Sequence, residues 1–565
     1  MNKVAISLVA LFALSGLGAT QAQDIASLEI SPVVIAPAKT PLAQTIKAGL
    51  SSAYYGAQRD TVAYAEGQSL YFLYGERYFE PIWLGQGSDG AITFSPAAQK
   101  IITLFENAAS EGLRPQDYLT ADIDLSRANS SDPAALAGLE TAFSAAVLRY
   151  ADHLHNGRIK PQSISANFDI KHKPIDGPKL LEDLTKSADP APILSALGPK
   201  HAEFLALKAA LASFDQTPTE RPTPIGAGPV LKAGNTDARV PAIRARLALP
   251  TSTDTVYDNS LVDAVKAFQG SLGLEVDGVI GPATIAALNG GNATRREDII
   301  ANMERWRWMP SDLGGFNVFV NIPEFRLAIQ RDGHEEFTTR VVVGTTKNQT
   351  PIFSDNIRHV VVNPYWNVPN SILKGEIAPA VLRNPAYTDN QNMDLLYNGT
   401  PVSPWQVDWS QVSATNFPFR VRQRPGPGNS LGQIKFLFPN KHDVYLHDTP
   451  SKGLFSRSSR AFSHGCVRVQ DPMAFADALM ANEPNISRAS LESMFGPSER
   501  WVNPQTQIPV HLAYFTLRVD ADGSIKSYGD VYGHNEKLIA AMGLATTAAP
   551  AIIAQAGPIP DELAP

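Results

Sequence analysis

Cys466 is the single cysteine of a 565-residue chain, and it stands in the run Ser463-His464-Gly465-Cys466-Val467-Arg468-Val469. A second stretch with reactive side chains, Tyr445-Leu446-His447-Asp448-Thr449-Pro450, precedes it. A thiol with an ordinary pKa of about 8.5 becomes a nucleophile near neutral pH only beside a cation, a hydrogen-bonding base or an aligned backbone dipole. His447 and His464 are the candidates for that partner. Gly465 lets the backbone approach a substrate carbonyl closely, and the amides around Gly465 and Cys466 are candidates for an oxyanion hole. The chemistry these types allow is acyl transfer through a thioester.

The elements that must position these groups are readable nearby. Val444 and Leu446 alternate with Tyr445 and His447, the pattern of a strand, which leaves His447 at its exit facing a cleft. Asp471-Pro472 reads as the N-cap and first-turn proline of a helix through Met473, Phe475, Leu479 and Met480. Cys466 therefore falls on a short connection between strand and helix, where a rigid scaffold holds a reachable nucleophile. Two plainer readings compete. A lone cysteine is commonly a small buried hydrophobe, and the flanking His-Gly weighs against that. His447, Asp448, His464 and Cys466 are types that zinc accepts, but no spaced ligand pair accompanies them, so neither a metal nor a cofactor is expected.

His447 followed by the Ser463–Val469 run resembles the active-site signature of the L,D-transpeptidases of bacterial peptidoglycan. The resemblance extends through Asn302-Met303-Glu304-Arg305-Trp306-Arg307-Trp308-Met309-Pro310, Val341-Val342-Val343-Gly344, Asn363-Pro364-Tyr365-Trp366-Asn367-Val368-Pro369 and Arg424-Pro425-Gly426-Pro427-Gly428. These segments look like the large multidomain members of Gram-negative bacteria. The resemblance implies that Cys466 attacks the carbonyl of the third, diaminopimelate-type residue of a tetrapeptide stem and expels the terminal D-alanine. The acyl group then passes to an amine on another stem, making a 3→3 cross-link. It further implies that His447 is base and then acid, with the carbonyl of Asp448 holding its tautomer. His464 would support the site electrostatically and Gly465 would help in the oxyanion hole. Arg468, Tyr445, Trp366, Asn363 and Trp405 are the expected substrate contacts, a structural salt bridge being the equal alternative for Arg468. Carbapenems are expected to acylate Cys466. Asp448 stands where many smaller members have glycine, in agreement with the large subfamily. Two rivals stay open: water as acceptor, giving an L,D-carboxypeptidase or endopeptidase, and a non-catalytic wall-binding scaffold.

Around this centre the expected organisation is multidomain α+β. Met1–Ala22 reads as a secretory signal peptide, with Lys3, an apolar run from Val4 to Leu17 and small residues before Gln23. No later stretch approaches the roughly 20 continuous apolar residues of a membrane span. A soluble periplasmic protein is expected, and there an unpaired thiol calls for a reason other than a disulfide. The formal charge of −7, or −8 once Lys3 leaves with the signal, and the lack of a long basic block exclude nucleic acid as a partner. Peptidoglycan stem peptides are the expected partner; glycan and cell-wall synthases are left open.

Residues 23–50 read as an Ala/Pro-rich flexible lead and 51–216 as an all-α scaffold domain. The Pro/Thr run at 217–227 reads as a stiff linker, and 228–290 as a three-helix module resembling a peptidoglycan-binding domain. In that module Asp277, Gly278 and Gly281 are equally what tight turns require. Residues 292–535 form the mostly β catalytic domain, opened by an Arg/Trp-rich helix of mixed core and surface character. Residues 368–419 interrupt the strands as a helical lid insertion, with Trp405 and Trp409 on its inner face, and 543–565 read as a disordered tail.

Overall fold

A computed structural model describes residues 37–544 apart from 60, 87–91, 125, 127, 129, 217–224, 227, 251, 272, 273, 275, 282, 283, 286, 289–293, 484, 485, 521 and 522. The expected signal peptide, most of the linker and the expected tail from 545 lie outside the described residues. The chain falls into two compact units. One takes in the described residues up to Thr93 with Asp124–Ala142, the other Phe94–Ile123 with the chain from Phe143.

In the first unit, the lead expected to run to residue 50 is replaced from Pro41 by a helix, Pro41–Gly56. Thr40 caps it, its hydroxyl accepting the Ala43 amide at 3.1 Å, and Pro41 occupies the first turn. Alanine and proline richness suggests flexibility, yet Ala43, Ile46, Leu50 and Tyr54 recur at helical spacing and bury one face. A helix Val62–Glu76 follows, and a short ribbon of Leu84–Gln86 with Ile92–Phe94 departs from the all-α expectation. The carboxylate of fully buried Glu140 accepts the Tyr74 hydroxyl at 2.7 Å and the Trp83 and Leu84 amides at 3.0 Å, the donors a buried charge requires.

In the second unit the helices Pro96–Glu106, Gly177–Lys186 and Ala202–Gln216 continue the helical region. The small module follows, with Val240, Ile243, Leu261, Val265, Ile285 and Leu288 in one core. That core already includes Ile225, inside the expected linker. Gln269 accepts the Gly278 amide at 2.9 Å and donates to Asp277 Oδ1 at 2.9 Å, while Gly278 takes φ +69°. These residues build the turn itself.

The helix Arg296–Trp308 is buried on every side from Ile299 to Trp308, arginines included, which corrects the mixed core and surface expectation. It lies against the helices Ala202–Gln216 and His534–Ala541 and contributes Trp306 and Trp308 to the catalytic core. Eleven strands follow in one sheet system among the described residues. They are β1 (Phe316–Asn321), β2 (Arg326–Arg331), β3 (His334–Gly344), β4 (Phe353–Ile357), β5 (His359–Val362) and β6 (Ile434–Leu437). Then come β7 (Leu446–His447), β8 (Ala461–Ser463), β9 (Val467–Val469), β10 (Arg500–Val502) and β11 (Ile508–Ala513). The order is β10-β5-β6-β7-β9-β3-β2-β1-β11-β4, with β8 beside β3. Strand β3 serves two halves: its first part pairs with β2, while Val341 and Val342 pair with Val469 and Arg468 of β9. Val318, Val320, Leu327 and Ile329 of one half share a core with Val360, Phe436, Leu446 and Val467 of the other.

The insertion is not a helical lid alone. A helical run from Asn370 to Arg383, with a π turn at Leu373–Ile377, precedes a four-stranded sheet of Thr400–Val402, Met393–Tyr397, Arg420–Gln423 and Trp366–Asn367, in that order. Trp366, Ile372, Leu373, Val381, Met393, Leu395, Phe419 and Val421 form its own core. A segment with its own sheet and core is a subdomain rather than a loop.

Candidate active site

Strand β7 runs parallel to β9, with Leu446 opposite Val467 and His447 opposite Arg468. The Val467 amide donates to the Tyr445 carbonyl at 3.1 Å, which carries the register back to Tyr445 opposite Cys466. Partners in register share a face, so Tyr445, His447, Cys466 and Arg468 project from the side opposite the core residues Leu446 and Val467. Cys466 and His447 are thus diagonal neighbours on that face.

His447 is fixed from behind. Its Nδ1 donates to the Asp448 carbonyl at 2.5 Å, which leaves Nε2 as the lone-pair nitrogen. The Asp448 carboxylate is itself held: Oδ1 accepts the Thr449 amide and Lys452 Nζ at 2.7 Å, and Oδ2 accepts the Gln433 amide at 2.9 Å. Gly432, at φ +60°, lies under it, and a Cβ there would come within 2.2 Å of Asp448 Oδ2. Only glycine at 432 therefore leaves room for an aspartate at 448.

Cys466 is half-buried, and its Sγ donates to the Asp443 carbonyl at 3.8 Å. The Tyr445 hydroxyl is hydrogen-bonded to the sulfur. Tyr445 thus contacts the thiol directly, a place the sequence reading did not foresee for it. Burial pushes the thiol up to about 11, against the lowering pull of Tyr445 and of the Arg468 guanidinium. Burial, helped by the positive charges of Arg468, Lys435 and Lys452, brings His447 down to about 3. The resting pair is therefore a thiol and a neutral imidazole.

That pairing sets a pH dependence. Because the thiol pKa is raised, the thiolate fraction grows tenfold per pH unit up to about 11. The iodoacetamide alkylation rate of Cys466 is expected to climb about tenfold per unit between pH 7 and 10. A plateau reached below pH 8 in the rate profile would mean a preformed thiolate and would contradict the geometry.

The other expected residues separate. His464 pairs through Nε2 with Glu376 Oε1 of the insertion at 2.8 Å. The Gly465 amide donates to Ser463 Oγ at 3.1 Å and its carbonyl accepts Thr350 Oγ1 at 2.8 Å, at φ +118°. Glycine here shapes the loop, and with its N–H turned to Ser463 it is not an oxyanion donor. Arg468 makes no ion pair among the described residues, and its Nε is buried without a partner.

Asn363 is not a substrate contact. In the left-handed region at φ +52°, its Nδ2 donates to the Met494 and Ser498 carbonyls at 2.8 and 2.9 Å, and its Oδ1 accepts the Gly496 amide at 3.2 Å. Trp366 is buried in the insertion core. Trp405 is 66% exposed, its indole N–H bound to Asp389 at 3.2 Å, so it does not line an inner face. Trp409 packs on Phe417 and Phe419 instead.

Sequence reasoning missed Lys435, Glu376 and Gly432. Lys435 alone left a signal: in Ile434-Lys435-Phe436-Leu437 it is a single charge in an apolar strand, on the face opposite Phe436.

Residues 316–487 match the model of the L,D-transpeptidase catalytic domain. The chain carries an L,D-transpeptidase catalytic domain. Residues 68–211 match a scaffold domain and 244–288 a "putative peptidoglycan binding domain". A curated protein of Haemophilus influenzae, described as a "putative L,D-transpeptidase", is 33% identical over 286 residues, covering 50% of this chain and 57% of that protein. An N-acetylmuramoyl-L-alanine amidase of Bacillus licheniformis is 40% identical over 76 residues, 12% of this chain and 21% of that protein. The chain thus spans little more than half the length of the first relative and about a fifth of the second. Among solved structures, an L,D-transpeptidase from Xylanimonas cellulosilytica is 17% identical with a TM-score of 0.15, covering 51% of this chain and 98% of that one. One from Mycobacterium smegmatis is 12% identical with a TM-score of 0.18, covering 35% and 58%. The L,D-transpeptidase domain includes both β7 and β9, and so every residue of the site described above.

Proposed function

We propose that this chain is an extracytoplasmic peptidoglycan L,D-transpeptidase that forms 3→3 cross-links through a Cys466 thioester. The observation that carries the reading is the placement of Cys466 and His447 on one face of the parallel pair β7 and β9, with His447 Nδ1 held by the Asp448 carbonyl. Cys466 Sγ gives its proton to His447 Nε2 as it bonds to the carbonyl carbon of the third stem residue. The bond to the terminal D-alanine breaks, and the leaving amine takes that proton from His447. An acceptor amine then attacks the thioester, its proton passes to His447, and the sulfur leaves and is reprotonated. Carbapenems would acylate the same sulfur.

With the Gly465 amide engaged, the Cys466 amide is the local oxyanion donor of this reading. Arg468, uncompensated beside the thiol, favours the thiolate as it forms. The insertion at 368–419 serves as a lid, supported by the Glu376 to His464 contact that ties it to the nucleophile loop. No helix among the described residues is long and apolar enough to cross a membrane.

Mass analysis of the products from tetrapeptide-bearing muropeptides tests the assignment. Expected are 3→3 dimers and free D-alanine. Tripeptide monomer alone would make the chain a carboxypeptidase, and no product from folded protein would leave a wall-binding scaffold.

A further inference from the structure

The register of the sheet runs a single row of side chains through the site. Trp501 of β10 lies opposite Val361 of β5, Val361 opposite Lys435 of β6, Lys435 opposite His447 of β7, and His447 opposite Arg468 of β9. Facing partners keep Cβ atoms about 4.5–5.5 Å apart, so Lys435 and Arg468 flank His447 at nearly equal distance on the same face. The opposite row, Val360, Phe436, Leu446 and Val467, is core.

Among the described residues Arg468 makes no ion pair, and the counter-charge nearest Lys435 is the Glu499 carboxylate. Lys435 is only 8% exposed; its ammonium lies 5.9 Å from the Tyr445 ring centre and 3.9 Å from Glu499 Oε1. That oxygen already accepts the Tyr365 amide at 2.9 Å, and Oε2 accepts the Trp501 indole N–H at 3.1 Å. Lys452, the third cation acting on His447, is by contrast fully answered by Asp448 at 2.7 Å. Exposed Asp443, three residues ahead of β7, presses its negative charge on Cys466. Burial lowers the proton affinity of Lys435, and the Glu499 charge at 3.9 Å offsets this only in part. An arriving anion relieves both cations at once.

We propose that Lys435 is a specificity-determining residue that, with Arg468, binds a free carboxylate of the donor stem peptide and so seats the scissile carbonyl over Cys466. This rests on the transpeptidase reading above. A tetrapeptide stem offers two such carboxylates, that of the terminal D-alanine and that on the diaminopimelate side chain.

The test compares wild-type full-length protein and Lys435→Met on three donors: the free tetrapeptide, its C-terminal amide and the diaminopimelate carboxamide. Wild type is expected to lose about 10- to 100-fold in kcat/KM on one of the two amidated donors, the range for hydrogen bonds to a charged group. Lys435→Met should show that loss already on the free donor, mainly in KM, and no further loss on the sensitive amide. Lys435→Arg should restore most of it. Which amide is sensitive identifies the carboxylate. Wild type indifferent to both amides overturns the proposal without recourse to any variant. So does a Lys435→Met defect that is equal on all three donors and tracks a fall in melting temperature, the sign of a merely structural lysine. Absence of acyl transfer by wild type from every donor would instead overturn the transpeptidase reading itself.

Discussion

Cys466→Ala is expected to abolish cross-link formation, by on the order of 10³-fold or more, while the protein melts where wild type does. The size follows from the step removed: without the sulfur there is no thioester, and no other thiol exists in the chain to replace it. The intact fold follows from the site. The thiol is half-buried on a connection between β8 and β9, and its contacts are a 3.8 Å bond to a carbonyl and the Tyr445 hydroxyl. Losing these is worth about 1 kcal/mol or less. His447→Ala should cost roughly 10²- to 10⁴-fold in rate and leave residual dimer, because base catalysis is removed but the thiol stays. Dimer yield from tetrapeptide muropeptides, measured beside a thermal melt, decides the matter. Wild-type dimer levels from Cys466→Ala would remove the thioester mechanism outright.

How much of this was legible beforehand depended on how locally each feature is encoded. Cys466 and His447 could be read because their types carry chemistry and because alternation around His447 betrays a strand. Helical spacing also revealed the face Val240, Ile243 and Leu261 of the small module. Residues whose role depends on partners far along the chain were misread. Asn363 and Trp366 sit in a segment that resembles the family, so they were assigned to substrate. Their side chains instead clamp the turn at 494–498 and fill the insertion core. Lys435 and Glu376 matter only through strand register and through where the insertion folds back, and neither quantity is written in local spacing. The insertion read as helical because Ile372, Leu373, Ile377 and Val381 repeat at helical intervals. Its strands Met393–Tyr397 and Arg420–Gln423 are short, and each pairs with a segment remote in sequence.

Loosening the insertion is expected to shift the products towards hydrolysis about tenfold while Cys466 still reacts with a small probe. Closing a site over a reactive acyl-enzyme suppresses attack by water, and both products come from that one intermediate. The variant that tests this is Trp409→Ala. Trp409 packs on Phe417 and Phe419 with ring centres 6.3 and 5.6 Å away and donates to the Pro404 carbonyl at 2.8 Å. A fully buried tryptophan would cost about 3–5 kcal/mol on truncation; half-buried Trp409 should cost about 2, drawn from the insertion's own core rather than the catalytic one. Trp405→Ala is the matched control, since its exposed ring gives only one indole hydrogen bond, to Asp389, and the product ratio should stay at the wild-type value. Glu376→Gln is the milder version. It weakens a partly exposed ion pair worth about 0.2–1 kcal/mol, so the ratio should move less than about fivefold with no change in melting temperature. Tripeptide-to-dimer ratio, alkylation rate and melting temperature are to be measured on the same preparations. An unchanged ratio in folded Trp409→Ala, with labelling and stability falling together, would make the insertion a structural excursion and not a lid.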